Sequence, residues 1–387
     1  MRSILLVPAL ILSAYASDWS RWRGPDANGI SAESDWRPQA LAAAPRLKWK
    51  TNLGVGHSSV SIAGKRLYTM GNVGGSDTVY CFDAETGKLA WRFPYACPPG
   101  NFSGPRATPT LDGGLLYTLS RKGDALCLDA ETGKPKWAKD LIREFKAQPT
   151  DYGLCGSPLI VGELVIYNAL DCGVALNKMT GEKIWASAEG AGGYATPVFF
   201  KGPAGDRVAI FGAKSLNVVD PASGKKLQSH PWTTQFDVNA ADPAFFDEKL
   251  FITSAWERGC ALLDVSGGSA KVLWENKNLR GHLASPIYLD GCLYGITATG
   301  GNHGNGVAYS VSVPMASALS LSQSGSQIDL NFTSVSGQSY QVERISDLRS
   351  SQWINLGNSI VATNGSLSVT DMAGGPGARF YRVITLP

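Results

Sequence analysis

The stretch Asp83-Ala-Glu-Thr-Gly87-Lys-Leu-Ala-Trp91 recurs along this chain of 387 residues. Clear copies are Asp129-Ala-Glu-Thr-Gly133-Lys-Pro-Lys-Trp137 and Asn177-Lys-Met-Thr-Gly181-Glu-Lys-Ile-Trp185. Two weaker copies begin at Asp220, with Gln228 in the place of tryptophan, and at Asp264, with the tryptophan delayed to Trp274. Counted from Trp49, the units recur at spacings of 42, 46, 48, 43 and 46 residues. A period of this length in a β-rich chain indicates a repeat architecture.

Each part of the motif has a mechanical role. An aspartate or asparagine that opens a turn accepts hydrogen bonds from backbone N–H groups, and a glycine at positive φ closes a tight hairpin. The motif therefore predicts a strand, a turn and a strand, and a second hairpin precedes it after a small residue and a proline, as at Thr108-Pro109. Four short strands per unit make one blade of a β-propeller, and the tryptophan then packs between neighbouring blades. The structural residues of the repeat are Asp83, Gly87, Trp91, Asp129, Gly133, Trp137, Asn177, Gly181 and Trp185.

This pattern resembles the quinoprotein alcohol-dehydrogenase-like propeller superfamily, whose blades end in a similar A-x-D-x-x-T-G-K-x-x-W motif. More narrowly, Trp19-Ser-Arg-Trp22-Arg-Gly-Pro25 resembles the start of small secreted bacterial propeller proteins with this PQQ-type repeat. The resemblance extends over residues 18–297. It implies an all-β fold, with five clear four-stranded blades and a partial sixth.

Blade six departs from the pattern. It begins with Gly281-His-Leu-Ala-Ser-Pro286, but no turn motif follows, and relatives would continue for at least one more blade. Residues 306–313 could supply a third strand that pairs around Leu293, and the segment near Trp49 could supply a fourth. That arrangement would close a six-bladed ring by an N-terminal clasp. The alternative is an open or distorted array with exposed strand edges.

Four segments are expected along the chain. Residues 1–16 combine one early arginine, an apolar run and Ala14-Tyr15-Ala16, which is typical of a cleavable secretory signal. Residues 17–45 should pack on the propeller of residues 46–313, and residues 314–387 alternate apolar and polar side chains as a small antiparallel β-sandwich does. We therefore expect a protein exported to the periplasm or the extracellular space of a bacterial-type cell. No cysteine follows the signal, so a lipid anchor is not expected.

Charge and cysteine content narrow the classes of partner. The net charge is +3 and no lysine or arginine run occurs, so a nucleic-acid partner is not expected. No segment after the signal approaches the roughly 20 apolar residues of a transmembrane helix. The seven cysteines form no C-x-x-C pattern. Cys155 and Cys172 fall within one unit and could pair in an oxidising compartment.

The best candidate site lies where the innermost strands of a propeller meet its central channel. Residues that lead into each blade are expected to surround this mouth: His57, Ser58, Arg106, Ser157, Tyr194, Thr196, Asn239, Asp242, His282 and Ser285. Two interpretations are open. These polar side chains bind a small ligand or a peptide, or they only satisfy the backbone groups of the loops.

The sequence contains none of the catalytic motifs that we considered. There is no Gly-x-Ser-x-Gly elbow, no His-Glu-x-x-His pair and no cysteine with an evident histidine partner. The superfamily resemblance raises the quinone PQQ with Ca²⁺, but those enzymes have eight blades and an adjacent cysteine pair, which this chain lacks. We therefore expect no catalytic residue, no metal site and no cofactor. The first hypothesis is a scaffold that binds a protein or small ligand; the alternative is a PQQ-dependent oxidoreductase or quinone-binding sensor.

Overall fold

The computed structural model describes residues 18–34, 39, 46–188, 190–297, 306–313, 320–334, 337–346, 352–363, 366–372 and 379–386. The expected secretory signal lies outside these residues. By its internal contacts the chain divides into two compact units, residues 1–287 with 295–307 and residues 288–294 with 308–387. Within the described ranges, no helix is long and apolar enough to cross a membrane.

Five four-stranded antiparallel sheets follow one another, each with its strands in chain order. Blade one contains β1 (Ser61–Ala63), β2 (Arg66–Val73), β3 (Ser76–Asp83) and β4 (Leu89–Ala96). Blade two contains β5 (Thr110–Asp112), β6 (Leu115–Leu119), β7 (Asp124–Asp129) and β8 (Pro135–Asp140), after which comes the short helix α1 (Leu141–Phe145). Blade three contains β9 (Leu159–Val161), β10 (Leu164–Tyr167), β11 (Val174–Asn177) and β12 (Lys183–Ala186). Blade four contains β13 (Val198–Gly202), β14 (Gly205–Phe211), β15 (Ser215–Val219) and β16 (Lys226–Pro231). Blade five contains β17 (Ala244–Phe246), β18 (Lys249–Ser254), β19 (Gly259–Asp264) and β20 (Lys271–Asn276).

The motif turns have the chemistry that their residues predict. Asp83 Oδ1 accepts hydrogen bonds from the Thr86 backbone N–H at 2.8 Å and from its hydroxyl at 2.7 Å. The glycines that close the turns lie at positive φ, with 71° at Gly87, 70° at Gly133 and 72° at Gly181. A side chain with a Cβ is penalised in this conformation. The turns therefore depend on glycine for a local reason, and a second reason comes from the neighbouring blade.

The motif tryptophans join neighbouring blades. Trp91 Nε1 donates a hydrogen bond to the Ala130 carbonyl oxygen at 2.9 Å, and Trp137 Nε1 does the same to Lys178 at 2.9 Å. Each ring also lies over the glycine of the next turn: a Cβ on Gly133 would lie 2.5 Å from Cε3 of Trp91. Trp137 is buried and Trp91 is half-buried. Each joint thus combines apolar packing with one hydrogen bond to a backbone group.

Two departures from the motif preserve this joint. Trp49, ahead of blade one, donates from Nε1 to the Ala84 carbonyl at 3.0 Å, and its ring lies over Gly87. Gln228, in the tryptophan position of blade four, donates from Nε2 to the Val265 carbonyl at 3.2 Å. An amide N–H therefore replaces the indole N–H there.

In the described residues, blade six has three strands, β21 (Ile287–Leu289), β22 (Cys292–Ile296) and β23 (Ala308–Ser312). The third strand lies beside the second, as predicted, and the Thr297 N–H donates to the Val307 carbonyl at 2.8 Å. The prediction of a fourth strand near Trp49 is wrong. Residues 46–54 lie outside any strand, because this part of the chain holds Trp49 on the turn of blade one.

Residues 18–29, which we call the strap, connect the two ends of the array instead. Trp19 and Ile62 of blade one exchange backbone hydrogen bonds of 2.8 and 2.9 Å. Further along the strap, Arg23 Nη2 donates to the carbonyl of Pro286, just before blade six, at 2.6 Å. The strap therefore bonds both to blade one and to the residue that precedes blade six.

The second unit holds a small β-sandwich, as predicted. Its first sheet has the order β24 (Ser320–Ser324), β25 (Gln327–Thr333) and β29 (Ser366–Met372). Its second sheet places β26 (Ser339–Ile345) beside β27 (Ile354–Asn355), β28 (Ile360–Val361) and β30 (Phe380–Leu386). Leu330 and Phe332 of the first sheet share a buried cluster with Tyr340 and Val342 of the second.

The disulfide that the sequence left open is not formed. Cys155 and Cys172 are both free thiols. Cys155 Sγ lies 3.7 Å from the Tyr152 carbonyl, whereas Cys172 Sγ lies 3.7 Å from the Asp171 carboxylate. The two sulfur atoms thus occupy different local environments within one repeat unit.

Candidate binding site at the channel mouth

A cavity of about 370 Å³ opens at the mouth in the first unit. Residues predicted from the sequence that line it are His57, Arg106, Ser157, Tyr194, Thr196, Asp242 and His282. Ser58, Asn239 and Ser285 do not line it. The remaining lining residues are Trp22, Phe102, Thr108, Tyr152, Cys155, Val238, Ala240 and Leu283. Seven of these fifteen residues have polar side chains, but the surface of the cavity is mainly apolar.

The small polar residues that lead into the blades bridge one blade to the next. The Thr108 N–H donates to Ser157 Oγ at 2.9 Å, and the Ser157 N–H donates to Thr196 Oγ1 at 3.1 Å. The Thr196 N–H donates to Asp242 Oδ1 at 2.7 Å, and the Asp242 N–H donates to Ser285 Oγ at 2.9 Å. Their side-chain oxygens are engaged in holding the loops together. For these residues the structural interpretation is the better one.

The other predicted residues divide in the same way. Asn239 is buried, and its Nδ2 donates to the carbonyls of Gly212 at 2.9 Å and Ala213 at 3.0 Å. Ser58 Oγ donates to the next carbonyl along the chain at 3.1 Å. By contrast, the side chain of His57 is exposed at the cavity. His57 therefore differs from Asn239 and Ser58, because it is exposed and lines the cavity.

Asp242 is a buried carboxylate with a dedicated set of partners. Trp22 Nε1 of the strap donates to Oδ2 at 2.6 Å, and Arg23 Nη1 lies 3.9 Å from the same oxygen. Burial raises the pKa of the Asp242 carboxyl, and Arg23 and the N–H donors oppose that shift. Burial likewise lowers the pKa of Arg23. The strap is therefore fixed over the mouth by a charge pair that is out of water.

One wall of the cavity is a group of aromatic rings in contact with one another. The ring centroids of Phe102 and Tyr152 are 4.6 Å apart, and Tyr152 meets Tyr194 edge to face at 5.4 Å. The Arg106 guanidinium lies 5.9 Å from the Tyr152 centroid, within cation–π range. Its Nη1 donates to the Gly104 carbonyl at 2.8 Å. Among the described residues, no carboxylate lies within 4.0 Å of this guanidinium to neutralise it.

The apolar surface continues outside the cavity. We define the apolar rim as Phe102, Phe236, Trp256 and Leu283, which are 58%, 48%, 42% and 69% exposed. Trp256 meets Phe236 edge to face at 4.8 Å and the cavity residue His282 at 5.6 Å. Phe102 and Trp256 also have positive φ, 55° and 56°. Strained backbone of this kind is characteristic of ligand clamps and binding loops.

The titratable groups of the cavity do not form a catalytic pair. Burial raises the pKa of the Cys155 thiol to about 12, so the thiol stays protonated and weakly nucleophilic. Burial lowers the pKa of His282, which favours its neutral form. Of the described cavity residues, none shows a thiol or hydroxyl bonded to a histidine. A hydrogen bond to a histidine is one of the ways in which proteins activate such a nucleophile.

The donor set also fits poorly to a quinone held by Ca²⁺. That ion takes six to eight oxygen ligands, usually with several carboxylates. Asp242 is the one carboxylate among the described cavity residues, and both its oxygens accept hydrogen bonds, from Trp22 and Thr196. The described residues hold no group of three or more His, Cys, Asp or Glu placed to bind a metal. The cavity residues therefore do not fit a quinone held by Ca²⁺.

Sequence reasoning missed about half of the wall. Thr108 obeys the same rule as Ser157 and Thr196, since it precedes a proline at the start of a blade, and could have been found. Trp22 lies in the quoted strap motif, but nothing in that motif says which blade it reaches. Tyr152 lies in a loop without any periodic signal. Only the fold brings it to the cavity.

The comparisons with known proteins agree with the propeller. The family described as "Outer membrane protein assembly factor BamB" matches residues 36–100 and 98–312. A tetrathionate hydrolase from Acidithiobacillus ferrooxidans is 23% identical over 227 residues, or 54% of this chain and 44% of that protein. The chain thus spans less than half the length of this relative.

Two solved structures share the fold. A europium-containing methanol dehydrogenase aligns with a TM-score of 0.53 and 13% identity over 96% of this chain and 79% of its own. A quinohemoprotein alcohol dehydrogenase from Pseudomonas putida HK5 aligns with a TM-score of 0.51 and 14% identity over 82% of this chain and 58% of its own. At this identity the likeness concerns the fold alone.

Proposed function

We propose, since the chain belongs to the family described as outer membrane protein assembly factor BamB, that its propeller is a non-catalytic scaffold whose mouth holds a segment of a partner polypeptide. The observation that carries this proposal is the apolar rim, which is continuous with an aromatic cavity. Exposed apolar surface of this kind marks interaction sites on soluble proteins. Anchor side chains that enter a pocket supply most of the affinity of such contacts.

A cell-envelope location belongs to the same proposal. The first 16 residues have the pattern of a secretory signal, and the matched family is described by its part in outer-membrane protein assembly. Fractionation of cells that express the full chain should recover it in the envelope or outside the cell. Recovery from the cytosol alone would contradict the location, although not the binding surface.

The experiment that tests the scaffold uses a photoreactive phenylalanine analogue at Phe236 of the apolar rim. As a matched control, the same analogue replaces Leu273, which is similarly exposed but lies on β20. We expect adducts with a defined partner from position 236 only. Their loss on adding Trp256→Ser would tie them to the rim. Equal adducts from both positions, or none from position 236, would contradict the proposal.

The second candidate is a quinone-dependent oxidoreductase or sensor. It is favoured by the fold shared with the two dehydrogenase structures, and the crowded Asp242 counts against it. Reconstitution of the full chain with PQQ and Ca²⁺ separates the two candidates. A chromophore retained after removal of free PQQ would support the quinone-binding candidate, whereas recovery of chromophore-free protein would support the scaffold.

A further inference from the structure

We infer that the polypeptide segment held at the mouth carries an aromatic side chain close to a carboxylate, with the ring in the cavity and the carboxylate on Arg106. This inference rests on the proposed function and names the chemistry of its partner. It follows from three features: the aromatic wall, the balance of charge and the extent of the apolar surface.

The aromatic wall favours an aromatic side chain in the bound segment. Tyr152 presents its ring between Phe102 and Tyr194, and Trp22 forms part of the same cavity. Aromatic side chains gain from edge-to-face and offset contacts beyond their apolar area. The volume of about 370 Å³ lies at the small end of ligand sites. An anchor of one aromatic side chain with its neighbouring backbone suits such a space.

The charges at the cavity favour a carboxylate in the bound segment. The carboxylate of Asp242 already faces Arg23 and Trp22, so it offers little to a ligand. Arg106 has no such counter-charge among the described residues, and the carbonyls of Phe102 and Gly104 hold its guanidinium in place. A positioned guanidinium with remaining N–H groups binds a carboxylate well, because both its charge and its planar donors match.

The extent of the apolar surface selects a polypeptide over a small aromatic acid. From the cavity residue His282, a continuous path of rings leads over the surface through Trp256 to Phe236. Leu283 is exposed beside them. A free aromatic acid that filled the cavity would leave this path in water. A chain segment would cover it with the residues that flank the anchor.

The test is a phage display of random dodecapeptides on the immobilised full-length chain, run in parallel on Arg106→Met and on Ala240→Trp, which fills the cavity. Arg92→Met, a change of an exposed arginine on β4, is the matched control. The melting temperature of each variant is compared with that of the wild type to identify any variant that has not folded. If Ala240→Trp does not fold, Tyr152→Ala replaces it.

We expect the wild type and Arg92→Met to enrich peptides with an aromatic residue within two positions of Asp or Glu. Arg106→Met should keep the aromatic preference and lose the acidic one. For a synthetic copy of the enriched peptide, changing its acid to the amide should weaken binding about tenfold, as expected for loss of one charge-assisted hydrogen bond.

Three outcomes would overturn the inference in distinguishable ways. Enriched peptides without the aromatic–acidic pair would refute the inference and leave the scaffold intact. Binding of 3-phenylpropanoate as tight as that of the peptide would make the mouth a small-molecule site. Equal enrichment on the wild type and on the cavity-filled variant would remove the mouth as the binding surface, and with it the proposed function.

Discussion

Blade three and blade six begin alike and end differently. Each is preceded by a serine and a proline, Ser157-Pro158 and Ser285-Pro286. Blade three then carries a full motif, so its Gly181 lies under Trp137 of the blade before. The sequence of blade six contains no copy of this motif, and Arg23 of the strap binds the carbonyl just ahead of the blade.

This difference shows two ways to hold a blade. The repeated joint needs one ring, one glycine and one backbone hydrogen bond, and it recurs because each blade presents the same turn to its neighbour. The strap acts once, through contacts between residues more than 200 positions apart, such as that of Trp22 with Asp242. Repeated joints are therefore separable, whereas loss of the strap should disturb the mouth as a whole.

The largest expected effect comes from removing a joint. Trp137→Ala should lower the free energy of unfolding by about 3 to 5 kcal/mol, the cost of truncating a large buried aromatic side chain. Trp274→Ala should cost only about 1 kcal/mol, because Trp274 is half-buried and faces no motif turn in blade six. Urea unfolding monitored by circular dichroism measures both. Equal losses would mean that the joint gains nothing from the motif turn.

The next effect separates the two demands on the motif glycine. Gly133→Val should lose about 3 kcal/mol, because backbone strain and overpacking against Trp91 each contribute roughly 1 to 3 kcal/mol. Gly113→Val is the matched control, since Gly113 also has positive φ, 54°, but nothing lies within 4 Å of an added Cβ. It should show the strain alone. If both variants melt at the same temperature, the ring contact does not matter.

A smaller effect is expected where the strap binds the mouth. Asp242→Asn keeps the shape of the side chain but leaves Arg23 buried without its counter-charge, so it should cost about 2 to 3 kcal/mol. Asp112→Asn also breaks an ion pair, with Lys178 at 2.9 Å, but that pair is partly exposed. It should cost less than about 1 kcal/mol. Hydrogen exchange of residues 18–29 should rise in the first variant only.

The smallest expected effect concerns the loss of stability at acidic pH. Hydrogen bonds from Thr86 hold the pKa of Asp83 below its usual value, and those from Thr132 do the same for Asp129. Because these pKa values are lowered on folding, their contribution to stability is present above the unfolded pKa, about 3.9, and is lost as pH falls through the folded pKa. Asp83→Asn with Asp129→Asn should flatten the loss of melting temperature from pH 5 to pH 3.

Asparagine should keep the turn in this double variant. Asn177 already opens the turn of blade three and accepts hydrogen bonds from the N–H groups of Met179 at 2.9 Å and Thr180 at 3.0 Å. Asp206→Asn, at an exposed aspartate outside the motif turns, is the control. An unchanged acid profile in the double variant would show that the turn carboxylates do not couple to folding.

The sequence by itself determined the blades, because a blade is a local device. Asp83 and Gly87 act within one hairpin, so their spacing alone predicts the turn. Their repetition predicts neighbouring blades and a tryptophan between them. The residues of the mouth could be predicted only in part from the repeat. Residues that precede a proline, such as Thr196, could be placed at the channel but not told apart as structural groups.

Only the tertiary structure decided which residues the strap contacts and which side chains line the mouth. In sequence, Trp49 resembles a tryptophan of a last strand, yet its ring lies on the turn of blade one. The strap, through Arg23, binds the carbonyl ahead of blade six. Phe102 and Tyr152 belong to the loops before and after blade two, yet their ring centroids are 4.6 Å apart. Their proximity comes from long-range packing, in which residues distant in sequence meet through shape and buried charge rather than through a repeating local turn.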